Sequence, residues 1–144
     1  MELKYEDLPI GWEICFLEEC RQKDKCLRYK AATILPDNCY SANAVTPKVL
    51  KTKKCPCFKS IEIVRVAMGF STIYREVKAR HAPELRAYIS QYLGGNGSYY
   101  RYLHGERMLM PEQQSWIRNL FKEYGYDENI EFDGYKDAYR FYDD

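Results

Sequence analysis

Apolar positions recur at helical spacing over two well-bounded stretches in the C-terminal half of the chain. Leu85, Tyr88, Ile89, Tyr92 and Leu93 form one stripe, with Pro83 at a first helical position and Gly94 just past the end. Trp116, Ile117, Leu120, Phe121 and Tyr124 form a second, opened by Pro111 and Glu112 and stopped by Gly125. Proline inside the start and glycine beyond the end is the asymmetry a helix requires. Between these stripes Ser98 predicts the cap of a short helix running to Leu103 and ended by Gly105. Residues 61–70 fit either a strand or the start of a helix, and Ser71 predicts the cap of a helix through Val77. In the tail, Phe132, Tyr135, Tyr139 and Tyr142 step by threes and fours, which predicts a final helix packing back on the body.

The N-terminal third has a different texture. Its spacing from Trp12 to Thr33 is set by cysteines, with a short helix predicted over residues 24–32. Pro36, Pro47 and Pro56 then break residues 35–56 into loop, with room for one short strand. The expected fold is therefore mainly α: a Cys-rich, loop-heavy N-terminal portion packed on a bundle of four to five short helices. The expected division is 1–60 and 61–144, the two together forming one compact unit.

Cys15, Cys20 and Cys26 lie four-residue and five-residue intervals apart, and Cys55-Pro56-Cys57 follows. The N-terminus, Met1-Glu2-Leu3-Lys4-Tyr5-Glu6-Asp7, is acidic and lacks the basic-then-apolar pattern of an export signal. That points to the cytoplasm, where thiol buffers disfavour disulfides. A tetrahedral zinc site takes four soft ligands from two short segments, and Cys15, Cys20, Cys26 and Cys55 supply them, with Cys57 as the substitute fourth. A segment broken by prolines and short of large aliphatics is one that a metal ion stabilises most. An iron–sulfur cluster is the rival: the first gap suits a plant-type ferredoxin, but the second is five residues where two are needed. Unliganded core thiols are the third reading. Cys39 fits no register and is read as a lone thiol.

The string Trp12-x2-Cys15-x4-Cys20-x5-Cys26-Leu27-Arg28-Tyr29-x-Ala31, with Cys55-Pro56-Cys57-Phe58, resembles an uncharacterised bacterial family that carries only a domain-of-unknown-function label. Tyr99-Tyr100-Arg101-Tyr102, Gly105-Glu106-Arg107, Pro111-Glu112-Gln113-Gln114-x-Trp116-Ile117 and Phe132-Asp133-Gly134-Tyr135 are similar to it as well, so the resemblance covers nearly the whole chain. It implies no activity. It does imply an aromatic residue at the position of Cys57, which favours Cys55 as the ligand.

Charge changes the picture further. Residues 1–47 carry 6 Lys and Arg against 8 Asp and Glu, residues 48–107 carry 12 against 4, and residues 112–144 carry 4 against 9. The basic middle is either an anion-facing surface or a neutralising partner for the acidic ends. Tyrosine supplies 14 of the aromatic residues, ten of them from Tyr88 onward, and suits cores, interfaces and base stacking alike. Residues 83–107 resemble the turn and recognition helix of phage-repressor helix-turn-helix proteins. In that reading Ser98 and Arg101 face the groove while Arg107 and Lys78 contact phosphates. Gly95 and Tyr100 stand where that motif has aliphatic core residues, and a helical hairpin with a tyrosine-rich core explains the same pattern.

Enzyme signatures are missing. His81 and His104 have no partner in a recognisable motif, and no phosphate loop or nucleophile elbow occurs. No apolar run is long enough to span a bilayer. The sequence thus points to a non-enzymatic, zinc-stapled binding protein with DNA or RNA as the first partner and a protein as the second. The alternative is a redox or metal-handling protein that uses the thiol cluster itself.

Overall fold

The computed structural model describes residues 1–127 and 129–143 and divides the chain into two compact units. The first comprises residues 1–63 and 139–144, the second residues 64–138. Among the described residues helices account for 35% and strands for 13%, so the protein is an α/β mix and the mainly α expectation is corrected. No helix among the described residues is long and apolar enough to cross a membrane.

In the first unit, α1 spans Leu27–Thr33 behind a 3-10 turn at Lys23–Lys25. Another 3-10 helix spans Pro47–Lys51, with proline where the missing N–H costs nothing. Leu3, Trp12, Ile14, Leu27, Ala31 and Tyr139 make the core of this unit. Phe141 meets the Trp12 ring edge-on at 4.9 Å. Buried Lys59 pairs with the carboxylate of Asp143. The bond to Lys59 holds the Asp143 carboxyl below its ordinary range.

The second unit is built on a three-stranded sheet in the order β2-β1-β3, with β1 at Ile63–Met68, β2 at Met108–Leu109 and β3 at Gly134–Tyr139. β1 and β2 run antiparallel, with Ala67 opposite Leu109. Helices α2 (Ala82–Tyr92), α3 (Asn96–Leu103) and α4 (Pro111–Glu123) supply the rest. Phe70, Leu85, Ile89, Leu109, Ile117 and Phe121 are buried in its core. Gln114 is also buried, and its amide donates to the carbonyls of Arg65 and Leu109 at 3.0 Å each, tying α4 to β1 and β2.

One open reading is decided and two expectations fail, each for an identifiable reason. The ambiguous stretch at 61–70 becomes a strand, in keeping with β-branched Ile63, Val64 and Val66. The tail forms β3 where a helix was expected. Tyr135 and Tyr139 are four apart, a spacing that satisfies a two-residue period as well as a 3.6-residue one. Residues 71–77 form successive turns and no helix. Their bonds, Arg75 N–H to Thr72 and Val77 N–H to Tyr74, close over three residues, while the Ser71 N–H goes to the Asp133 carboxylate.

Candidate metal centre

Five cysteines from separate stretches of the first unit line one cavity of about 20 Å³: Cys15, Cys20, Cys26, Cys55 and Cys57. That volume suits a single atom of roughly water size. Val45, Val49, Tyr29 and Phe58 add apolar walls.

Local chain geometry brings the sulfurs to this place. Ile14 pairs with Ala44 in a single parallel bridge, and the Cys15 N–H donates to the Arg28 carbonyl at 3.0 Å. Cys20 sits in a turn closed by its own N–H on Leu17, and its carbonyl accepts from Lys23. Cys26 immediately precedes α1. The Cys55-Pro56-Cys57 segment is held in two ways. Phe58 N–H donates to Cys55, and the antiparallel bridge between Cys26 and Ser60 carries the 2.6 Å bond from Leu27 N–H to the Lys59 carbonyl. Arg28 completes the clasp by donating to the Cys57 carbonyl.

Burial pushes the Cys15 thiol above its ordinary pKa, and the neighbouring Cys26, Cys20 and Cys55 push it further, against a Leu17 N–H that donates to it. A cation among these sulfurs would reverse the balance, because it favours the thiolate. All six cysteines are free, Cys15 and Cys26 buried and the others half-buried. Among the described residues, no three His, Cys, Asp or Glu side chains are gathered closely enough to form a finished metal site. The sulfurs therefore surround the cavity without converging on one point.

The four ligands expected from sequence, and the substitute Cys57, are thus brought to one cavity, while Cys39 is elsewhere. It lines a wider groove of about 540 Å³ with Tyr5, Trp12 and Asn43, and its Sγ donates to the Ser41 carbonyl. Spacing alone did not reveal Arg28, Tyr29, Val45 and Val49 as wall or clasp residues. Arg28 and Tyr29 do stand beside Cys26 in the string that carries the family resemblance.

The residues expected to read nucleic acid are arranged differently. α3 begins at Asn96, two residues before Ser98, because Gly95 at φ 109° takes the preceding turn. Ser98 is half-buried within the first helical turn and accepts from Arg107 at 3.4 Å. The Arg101 carbonyl accepts the N–H groups of Glu106 and Arg107, so these three positions cluster at the end of α3. Lys78 lies in the turns before α2, where its N–H donates to the Tyr126 hydroxyl. Among the described residues no hydrogen bond or ion pair joins Lys78 to the other three.

The chain belongs to DUF6078, a family of unknown function whose model matches residues 1–141. No curated protein and no solved structure is significantly similar to it.

Proposed function

We propose that the first unit binds one zinc ion through Cys15, Cys20, Cys26 and Cys55, and that the ion staples a binding protein with no catalytic role of its own. The observation that carries this reading is the shared cavity lined by those sulfurs. All-sulfur donors select soft or borderline ions, and four thiolates in a closed site are the donor set of structural zinc. The five residues between Cys20 and Cys26, where a plant-type ferredoxin has two, favour one ion over an iron–sulfur cluster. Closure of the sulfurs around zinc fixes the loops at residues 15–26 and 55–57 in one arrangement, which is folding free energy for a region with few large aliphatics.

Elemental analysis of natively purified protein tests this directly. The expected result is about one zinc per chain and a colourless solution. Cobalt substitution is expected to give the absorption of a tetrahedral thiolate site, and a strong chelator to lower the melting temperature. Metal-free protein whose melting is unmoved by added zinc overturns the proposal, and a brown, iron-containing protein replaces it with cluster chemistry.

A metal-handling role is the second reading, and the fifth sulfur favours it. A four-coordinate ion leaves one of Cys55 and Cys57 spare, and a spare thiolate beside a bound one permits ligand exchange. Rapid transfer of zinc to a competing chelator, slowed by Cys57→Ser, would distinguish handling from stapling.

A further inference from the structure

The segment that closes the thiol cavity carries an unusual charge. From residue 38 to residue 61 the chain holds Lys48, Lys51, Lys53, Lys54 and Lys59 and no aspartate or glutamate. Lys59 is buried and paired with Asp143. The other four are exposed, and among the described residues none of them has an ion pair or a side-chain hydrogen bond. Lys48 and Lys51 stand three residues apart in the 3-10 helix Pro47–Lys51, a geometry in which such side chains eclipse on one face. Two ammonium groups held on one face repel, and Lys53 and Lys54 add to the same field. An anionic partner removes that repulsion.

The apolar surroundings narrow the partner. Leu50 and Phe58 are both exposed, at 43% and 39%, although Phe58 also walls the thiol cavity. Lysines that track a phosphate backbone beside an exposed aromatic ring make the combination that binds single-stranded nucleic acid, because every base offers a face for stacking. An acidic peptide would satisfy the lysines and leave the ring unused. In the second unit Arg107 is engaged by Ser98, Arg86 lies over the Tyr74 ring and Arg65 pairs with Asp137, while Arg75, Lys78, Arg80 and Arg101 are exposed.

We propose that Lys48, Lys51, Lys53, Lys54 and Phe58 form a binding surface for single-stranded nucleic acid. The surface stands on charge and exposure and does not depend on the identity of the ion.

The test is fluorescence anisotropy of a labelled single-stranded oligonucleotide of mixed sequence with the full chain, across a salt series. Four single-strand phosphate contacts predict roughly fiftyfold weaker binding at about 200 mM salt than at about 50 mM. The K48E/K51E/K53E/K54E variant is expected to lose at least about tenfold in affinity and most of the salt dependence, while R101E/R107E binds as wild type. If the quadruple variant does not fold, single Lys→Gln changes are each expected to lower the salt slope by about 0.7. Absent or salt-insensitive binding overturns the proposal, and so does equal loss in R101E/R107E. Binding to polyglutamate or phosphatidylserine vesicles as tight as to the oligonucleotide overturns it too, as does equal binding of the duplex. Zinc measured in the same samples separates the two proposals: metal-free protein that binds the oligonucleotide keeps this one, and zinc-loaded protein that does not bind keeps only the staple.

Discussion

Arg28 Nε donates a 2.6 Å hydrogen bond to the carbonyl oxygen of Cys57, and its Nη1 donates at 2.7 Å to the carbonyl of Glu13. One guanidinium therefore joins the segment before Cys15 to the Cys55-Pro56-Cys57 segment, two stretches more than forty residues apart in sequence. It also lies 4.5 Å over the Trp12 ring, which fixes the plane of the fork. Hydrogen bonds from a charged donor contribute about 1.5–3 kcal/mol each. Arg28→Ala is accordingly expected to lower stability by at least about 2 kcal/mol in a urea titration. It should also weaken zinc binding in a chelator competition. Arg28→Lys is expected to restore little, because an ammonium has no planar fork to reach both carbonyls. A lysine variant equal to wild type in both measurements would show that charge alone suffices.

The six thiols are expected to differ sharply in what their removal does. Cys20→Ser removes one of the proposed ligands that line the cavity, whereas Cys39→Ser changes a side chain of the separate wide groove. Melting of zinc-loaded protein should fall by many degrees for Cys20→Ser and by little for Cys39→Ser. Cys57→Ser should fall between them, since Cys55 remains to complete the set. Equal melting of the Cys20 and Cys39 variants would contradict the staple, whatever the metal content of the wild type.

How much of this was legible in the sequence depends on the kind of signal. Proline at a first helical position and glycine just past the end located α2 and α4 well, because both act through the backbone alone. Grouping of the thiols was legible from their clustering in sequence. The strands were less so. Only β1 carries β-branched residues, β2 is two residues long, and the aromatic spacing of β3 fits both periods. A strand is defined by its neighbours, so β2 and β3 become strands only once β1 lies between them. The role of Arg28 had no local signature, because its partners are backbone carbonyls, which every residue possesses.

Gly69 is the position where the second unit is least tolerant of a side chain. Its φ is +78°, and a Cβ there would lie 2.7 Å from the Asp133 carboxylate and 3.2 Å from the Leu103 carbonyl. Asp133 is held in place because its carboxylate accepts the Ser71 N–H and its own N–H donates to the Gly69 carbonyl at 2.9 Å. Gly69→Ala therefore combines a left-handed backbone, costing about 1–2 kcal/mol, with displacement of that carboxylate. The expected loss is about 2 kcal/mol or more, read as a lower urea midpoint with an unchanged slope. Gly97→Ala is the matched control: Gly97 lies within α3, and a Cβ there meets nothing within 4 Å. It should be neutral or slightly stabilising, since alanine restricts the unfolded chain. A Gly69 variant as stable as the Gly97 variant would remove Asp133 as the anchor of the turns at 71–77.

Tyr124, at the end of α4, donates its hydroxyl to Glu84 in the first turn of α2 at 2.8 Å. The bond to a carboxylate, with some burial, pushes the phenol up to about 12. A phenol whose folded pKa lies above its unfolded value of about 10 binds its proton more tightly in the folded state. The stability it contributes is thus complete below about pH 10 and is lost as the pH rises through about 12. Ultraviolet titration of tyrosinate should show one tyrosine ionising near that upper value. Glu84→Gln keeps an acceptor but removes the negative charge, so that step should move down toward the ordinary tyrosine range. Tyr74 provides the internal contrast, being raised chiefly by burial and then by its 2.8 Å bond to Tyr99. Its titration should not respond to Glu84→Gln. An upper step indifferent to that substitution would mean that the contact between α4 and α2 at this point is apolar packing alone.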